Sequence, residues 1–423
     1  MMTEVQSSQR IAVIGSGIAG LTSAYLLSRH HEVTVFEAND YLGGHTHTKH
    51  IERNGRTFPV NTGFIVYNDW TYPNFIKLMQ QLGVETQESD MSFSVHDENS
   101  GLEYNGTSIN SLFAQRINIF RPSFLKMVRD ILRFNKETVA ALERGDDLSM
   151  TLGDYIKEHG YSQGFRDYYI IPMGAAIWSA STDVMMNFPL EFFLKFFNNH
   201  GMLSVDDRPT WRVLSDGSSA YVAELIKPFE ERIRLNTPVK KVMRSNSKVI
   251  IRTEKGDEEF DQVVMACHSD QALSMLAEPT AKEHEILGAI PYQDNEVVLH
   301  TDERLMPKRK LAWAAWNYHI PQRRSEHAMV TYNMNILQNF KDAPETFLVT
   351  LNRAAEIDES KVIERYNYAH PVFTQDGVAA QARHSEISGH NRTHYCGAYW
   401  FNGFHEDGVN SALRVAKLFG ITL

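Results

Sequence analysis

Apolar residues fill the short run Arg10-Ile-Ala-Val-Ile-Gly15 and stop at a glycine, which predicts a strand buried on both faces. Ile18 to Ser28 reads as the helix that follows, and Glu32-Val-Thr-Val-Phe-Glu37 as a second strand, so the chain opens with a βαβ unit. Phe75 to Leu82 carries apolar residues at helical spacing, and a more polar strand region continues to about Tyr104. From Asn110 to roughly Leu203 the pattern changes to long amphipathic stretches, such as Phe124 to Leu142 and Leu190 to Phe197, which predict a largely helical insert. Strand signals return at Arg234-Leu235, Val239 to Met243, Lys248 to Thr253 and Gln262 to Ala266, with Lys255-Gly256-Asp257 read as a hairpin turn. Glu296 to Arg353 is mixed and includes strands at Glu296 to His300 and Phe347 to Leu351; His394 to Leu413 is glycine-rich and runs into a terminal helix.

Composition narrows the picture. A chain of 423 residues accommodates two or three domains around a large core. The net charge of −10 argues against nucleic acid as the main partner. Two cysteines, Cys267 and Cys396, exclude a disulfide framework and a Cys-rich metal site. The histidines form no HExxH and no compact cluster with carboxylates along the sequence, so no metal is expected. Met1 to Gln9 is polar and lacks the features of a secretory signal, and no apolar run is long enough to span a bilayer. The expectation is a cytoplasmic protein, with peripheral contact at the inner face of a membrane left open.

The chemistry begins at Gly15-Ser16-Gly17-Ile18-Ala19-Gly20, a GxGxxG between a strand and a helix. Gly15 allows the tight turn, Gly17 a close approach of a pyrophosphate, and Gly20 the packing of helix on strand. The helix N-terminus offers N–H groups to the phosphates. Glu37, followed by Ala38, stands at about the 20-residue spacing from which a carboxylate reaches a ribose, and it disfavours a 2′-phosphate there.

Leu42-Gly43-Gly44-His45 follows, and here the sequence resembles the amine oxidase-like flavoprotein superfamily, which includes monoamine oxidases, protoporphyrinogen oxidase and phytoene desaturases. The superfamily usually has Arg where His45 stands; a His still donates to a phosphate, with less charge. Asn61-Thr62-Gly63-Phe64 resembles the element that passes close to the flavin. Thr237-Pro-Val239 with Asp261 to Ala266 resembles the middle segment, whose Val239 backbone would contact the adenine. Tyr395-Cys396-Gly397-Ala398 and Asp407-Gly408-Val409 resemble the C-terminal segment: Gly397 would approach the pyrophosphate, and the Val409 N–H would point at flavin N1 and O2. Ala398 replaces a frequent Glu. Cys396 reads as a small packing residue rather than a flavin attachment point. The resemblance implies non-covalent FAD.

It also implies an α/β (α+β overall) fold in which a Rossmann-like FAD-binding domain is interleaved with a mixed-sheet substrate domain and a helical insert. The expected parts are 1–75, 206–270 and 386–423 for FAD, 76–109 and 271–385 for the substrate sheet, and 110–205 for the insert lining the cavity.

With a single GxGxxG, an oxidase or desaturase fits better than a monooxygenase reduced by NADPH. Relatives carry a lysine near flavin N5 late in the strand after the middle segment; the nearest equivalent here is His300. His405, just before the flavin-facing helix, is the other candidate base, and Asp407 is expected to cap that helix. Trp313, Trp316, Tyr318, Tyr332 and Trp400 offer ring walls, or else core packing. Phe188, Phe192, Phe193, Phe196, Phe197 and Met202, with the Ile170 to Trp178 segment that includes Ile177, offer an apolar lining. Trp313-Ala-Ala-Trp316-Asn-Tyr318 and Tyr399 to Gly408 resemble a bacterial amine oxidase-like group associated with enzymes that modify unsaturated acyl chains. The implied activity is dehydrogenation of a methylated or unsaturated fatty acyl substrate by hydride transfer to flavin N5, with oxygen or another acceptor. A flavin amine oxidase and a non-catalytic, flavin-bearing partner of a lipid-modifying enzyme are the alternatives, and a homodimer is left open.

Overall fold

The opening strand and helix form where the apolar runs place them. The computed structural model describes residues 8–323 and 325–423; most of the N-terminal segment read for a secretory signal lies outside them. In chain order come β1 (Arg10–Ile14), α1 (Ile18–Leu27) and β2 (Glu32–Phe36), then β3 (Phe93–Asp97) and β4 (Glu103–Asn105). The insert follows with α2 (Pro122–Arg144), α3 (Ile171–Trp178) and α4 (Leu190–Asn199). The chain returns through β5 (Ile233–Arg234) and β6 (Gln262–Met265) and then builds β7 (Tyr292–His300), β8 (Trp316–Ile320), β9 (Val330–Asn333), β10 (Leu348–Leu351) and β11 (Val362–Pro371). It ends with β12 (Thr393–Tyr395) and α5 (His405–Leu418).

Two sheets carry the architecture, a mixed α/β fold. The first is parallel, in the order β5-β2-β1-β6-β12, so its strands come from the start, middle and end of the chain. Its central strand is fully buried at Ile11, Ala12 and Val13, as a doubly covered parallel strand must be. Nine of the ten residues of α1 are buried. A helix apolar all round has to be covered on both sides, and α1 packs against α5 as well as against the sheet. The second sheet, β11-β7-β10-β9-β8-β3-β4, is antiparallel except for the β8–β3 pair. The insert covers it: α2 buries Phe124, Met127, Phe134, Thr138 and Ala141, a helical stripe, and α3 contacts β8.

Two local readings shift. The hairpin near Gly256 pairs Thr253 with Gly256, so Glu254 and Lys255 make its turn, one residue earlier than predicted. β11, ten residues long, was not predicted at all. A second hairpin, Thr48–Arg53 with Arg56–Asn61, turns on Asn54-Gly55, both in the left-handed region; it delivers Thr62 to Phe64 to the segment His45–His47 that follows the Gly43-Gly44 turn. No helix among the described residues is long and apolar enough to cross a membrane.

Candidate functional site

The turn after β1 is held from three sides. A side chain on Gly20 would run into the Gly15 carbonyl, which is why helix and turn can close here. Gly43 and Gly44 have φ of +110° and +58° and lie beside Gly17 and Ser16: the Gly43 N–H donates to the Ser16 carbonyl at 3.1 Å. Glu37 accepts from the Ser16 N–H (3.0 Å), the Ser16 hydroxyl (2.6 Å) and the Asn39 N–H (2.9 Å), so its carboxylate is fixed in place. The middle segment joins it, because the Thr237 N–H donates to the Glu37 carbonyl at 2.8 Å, two residues before Val239; Ala38 is exposed.

The C-terminal segment closes the cradle. The Gly397 N–H donates to the Ser411 hydroxyl at 3.0 Å, and Ala398 follows at the start of a short turn. Gly408 lies against Ile18 of α1. α5 begins at His405, a turn earlier than the sequence reading requires. The Val409 N–H is therefore spent inside the helix ladder, and the free donors at the helix start are those of His405, Glu406 and Asp407. Asp407 turns back to accept from the Phe404 N–H at 2.9 Å. Cys396 is buried, its thiol contacts the Ser23 hydroxyl, and burial pushes its pKa up to about 12, which suits packing and not nucleophilic attachment.

His405 has its Nε2 engaged, and only its Nδ1 is without a hydrogen-bond partner among the described residues. Its Nε2 meets the Thr46 hydroxyl at 2.8 Å and the Tyr221 hydroxyl at 3.0 Å, and its ring stacks on Phe64 with centroids 3.3 Å apart. Burial holds it well below the usual histidine pKa. His300 is not brought to the cradle. It sits at the far end of β7, five residues and about 16 Å beyond Asn295. Its two nitrogens are engaged by the Thr350 hydroxyl (2.7 Å) and the Asp302 N–H (3.0 Å).

What stands beside the Gly43-Gly44 turn instead is a wall of rings the sequence reading missed. Tyr366, Tyr368 and His370 share one face of β11 by period-two spacing. The His45 ring lies 5.1 Å from Tyr368, 5.3 Å from His370 and 5.9 Å from His268. The Tyr368 hydroxyl contacts the Thr62 hydroxyl at 2.9 Å, and the Gly63-Phe64 turn is tied in by the Phe64 N–H donating to the His45 carbonyl. Burial first, and then the neighbouring imidazole, lowers His45 to about 4 and His370 to about 3. The Asn295 amide donates to His370 Nδ1 at 3.3 Å, leaving its proton on Nε2. Neither ring nitrogen of His45 has a hydrogen-bond partner among the described residues.

The cradle suits a dinucleotide. A side chain on Gly17 would meet open space, no side chain caps the N-terminus of α1, and the Tyr399 hydroxyl is buried without a partner nearby. Residues 18–359 match the flavin containing amine oxidoreductase family. The chain belongs to that family. FAD is the family's cofactor, and its members are oxidoreductases. Among sequence relatives, flavin-containing amine oxidase A of Canis lupus familiaris is 25% identical over 57% of this chain and 46% of its own length. The L-amino-acid oxidase of Bungarus fasciatus is 23% identical over 72% of this chain and 59% of its own. The chain thus spans about half the length of the relatives it matches. Among solved structures, a CLA-producing fatty acid isomerase from P. acnes superposes with a TM-score of 0.70 at 18% identity, covering 97% of this chain and 98% of that one. Cyclohexylamine oxidase from Brevibacterium oxydans does so with 0.68 at 14% identity, covering 98% and 100%.

Within this amine oxidoreductase fold, an aromatic bank connects the insert to the start of α5. Trp178 packs on Phe188 (4.7 Å) and Phe196 (4.8 Å), Phe192 stacks on Phe373 (5.1 Å), and Phe196 stacks on Phe404 (5.0 Å), with Ile177 half-buried beside them. Trp316 and Tyr332 meet edge to face at 4.8 Å across β8 and β9, in the same core. Trp400 does not join them: the turn after Gly397 folds it behind the first sheet, against His384 at 4.6 Å. A cleft of about 440 Å³, whose lining includes Thr151, Asp183, Val184, Asn187 and Asp376, opens beside Phe373. Away from the cradle, the fold gathers Glu98, His319 and Glu356 within 4.8 Å, a cluster that sequence spacing does not reveal; Arg353 already holds Glu356 at 2.6 Å.

Proposed function

We propose that this chain holds FAD non-covalently and dehydrogenates an apolar, methylated or unsaturated fatty acyl substrate. The observation that carries the reading is the aromatic bank from Trp178 to Phe404: none of its side chains is charged, and it ends one residue from His405. These rings pack into the core, and the face they turn toward a substrate would orient a long hydrocarbon and exclude water. A fold neighbour described as a fatty acid isomerase adds support at the level of architecture.

Bound FAD would supply hydride acceptance, with oxygen or another acceptor taking the electrons afterwards. Gly15 to Gly20 and the first turn of α1 would hold the pyrophosphate, Glu37 the ribose, and the Val239 backbone the adenine. The free N–H groups of His405, Glu406 and Asp407 favour negative charge in front of α5. We assign the substrate proton to His45, neutral and without a partner at either nitrogen, although burial, which lowers its pKa to about 4, makes it a weak base. His370, whose proton is fixed on Nε2 by Asn295, donates a hydrogen bond. His405 keeps a structural place between Thr46 and Tyr221.

An amine oxidase is the second reading, favoured by the family and by the relatives' names. Mass spectra of phospholipids from cells with and without the protein separate the two. The acyl reading expects species short of two hydrogens only where the protein is present; identical lipid profiles would contradict it.

A further inference from the structure

The outer surface of the helical insert inverts the character of the rest of the molecule. Ile109, Ile117, Ile119, Phe120 and Leu125 are all exposed, Ile109 by 80% and Phe120 by 77%. Soluble surfaces scatter such residues singly; here they fall within one short stretch of chain. The Arg116 guanidinium donates to the Asn110 carbonyl at 3.1 Å and to its side-chain oxygen at 2.6 Å, which fastens the turn carrying Ile109 to the turn carrying Ile117. Asn118 is fully buried between Ile117 and Ile119, so the flanking isoleucines are held outward. On α2, Leu125, Arg129, Leu132 and Lys136 follow at helical spacing on the side away from the buried stripe.

The charge is inverted as well. Residues 109–136 hold six cations, Arg116, Arg121, Lys126, Arg129, Arg133 and Lys136, against one carboxylate, Asp130, in a chain of net charge −10. Asp130 is buried and accepts from the Ser162 N–H at 2.9 Å. Arg116, Arg121 and Lys126 form no ion pair with a carboxylate among the described residues. Protruding aliphatic and aromatic side chains ringed by unpaired cations match the boundary of an anionic bilayer, where the apolar groups enter the acyl region and the cations meet the headgroups. A nucleic acid would leave the isoleucines and Phe120 uncovered.

We infer that the segment 109–136 is a membrane-docking surface that seats the protein on anionic phospholipid. The inference stands on exposure and charge alone, and so survives if the substrate is not an acyl chain. The test is co-sedimentation of the FAD-loaded protein with phosphatidylcholine vesicles, with and without phosphatidylglycerol, at low and high salt. Two double variants, I117S/F120S and R121E/K126E, are compared with K341E outside the surface, and flavin absorbance and circular dichroism report folding. The expected result is sedimentation with phosphatidylglycerol vesicles only, weakened by salt. Partition should fall about thirtyfold in R121E/K126E, from roughly 1 kcal/mol per cation, and by roughly tenfold or more in I117S/F120S, while K341E behaves as the unaltered protein. Protein left in the supernatant with anionic vesicles, or both double variants sedimenting normally, would overturn it. So would a dimer in sedimentation velocity that I117S/F120S dissolves without changing vesicle binding, because a second copy would then be what covers the surface.

Discussion

Glu37 receives three hydrogen bonds before any ribose reaches it. Replacing it with Gln turns an amide toward those donors and removes the charge. Charge-assisted bonds contribute about 1.5–3 kcal/mol each, so fluorescence titration should show Glu37→Gln binding FAD roughly ten- to hundredfold more weakly. His45 and His405 separate by a different measurement. His45→Asn is expected to keep FAD but slow anaerobic flavin reduction by about a hundredfold or more. His405→Ala should reduce flavin at a near-normal rate while losing stability, since Phe64 loses its stacked ring and the Thr46 and Tyr221 hydroxyls keep only their bond to each other at 2.6 Å. If His45→Asn instead loses FAD and reduces normally once loaded, His45 is a phosphate donor only. The glycine turn and Glu37 were legible because their spacing is set within one local βαβ unit. His268 and His370 were not, because they reach His45 from a remote helix start and a remote strand, and no local spacing announces such a meeting.

The elements show the same division. β1, α1 and β2 match their predicted spans because a buried parallel strand and a helix of small and apolar residues are written as continuous runs. β11 was missed because Glu364 and Arg365 interrupt it, and its inward face uses Tyr366, Tyr368 and His370, which do not register as an apolar alternation. The hairpin at Asn54-Gly55 carries its own turn signal, an Asn-Gly pair with both residues in the left-handed region. α5 was placed one turn late, and its true start gives Asp407 its role. Burial raises the Asp407 carboxyl from 3.8 to about 7. The folded state then keeps a proton that the unfolded chain has lost, so this group's contribution to stability falls as pH rises from about 4 to about 7 and is fully regained below that range. Asp407→Asn should flatten that slope in urea titrations across the interval; an unchanged slope would assign it elsewhere.

In the whole molecule, the start and end of the chain meet around one cradle, through α1 against α5 and through β6 of the middle segment, which bridges β1 and β12. Hydrogen exchange should therefore gain protection in α1 and α5 together when FAD is added, not in one alone. His45, His268 and His370, all lowered by burial, impose the opposite pH trend to Asp407: the unfolded chain takes up protons below about 6.5 that the folded one refuses until about 4 or lower, so apoprotein stability falls on acidification through that window. The His45→Asn and His370→Gln double variant should lose part of that acid sensitivity in thermal melts. The most direct measurement is anaerobic mixing of the FAD-loaded protein with methylated or unsaturated phospholipid on one side and with amines on the other, following the flavin absorbance. The account predicts that the lipid bleaches the flavin and the amines do not; bleaching by amines alone would contradict it.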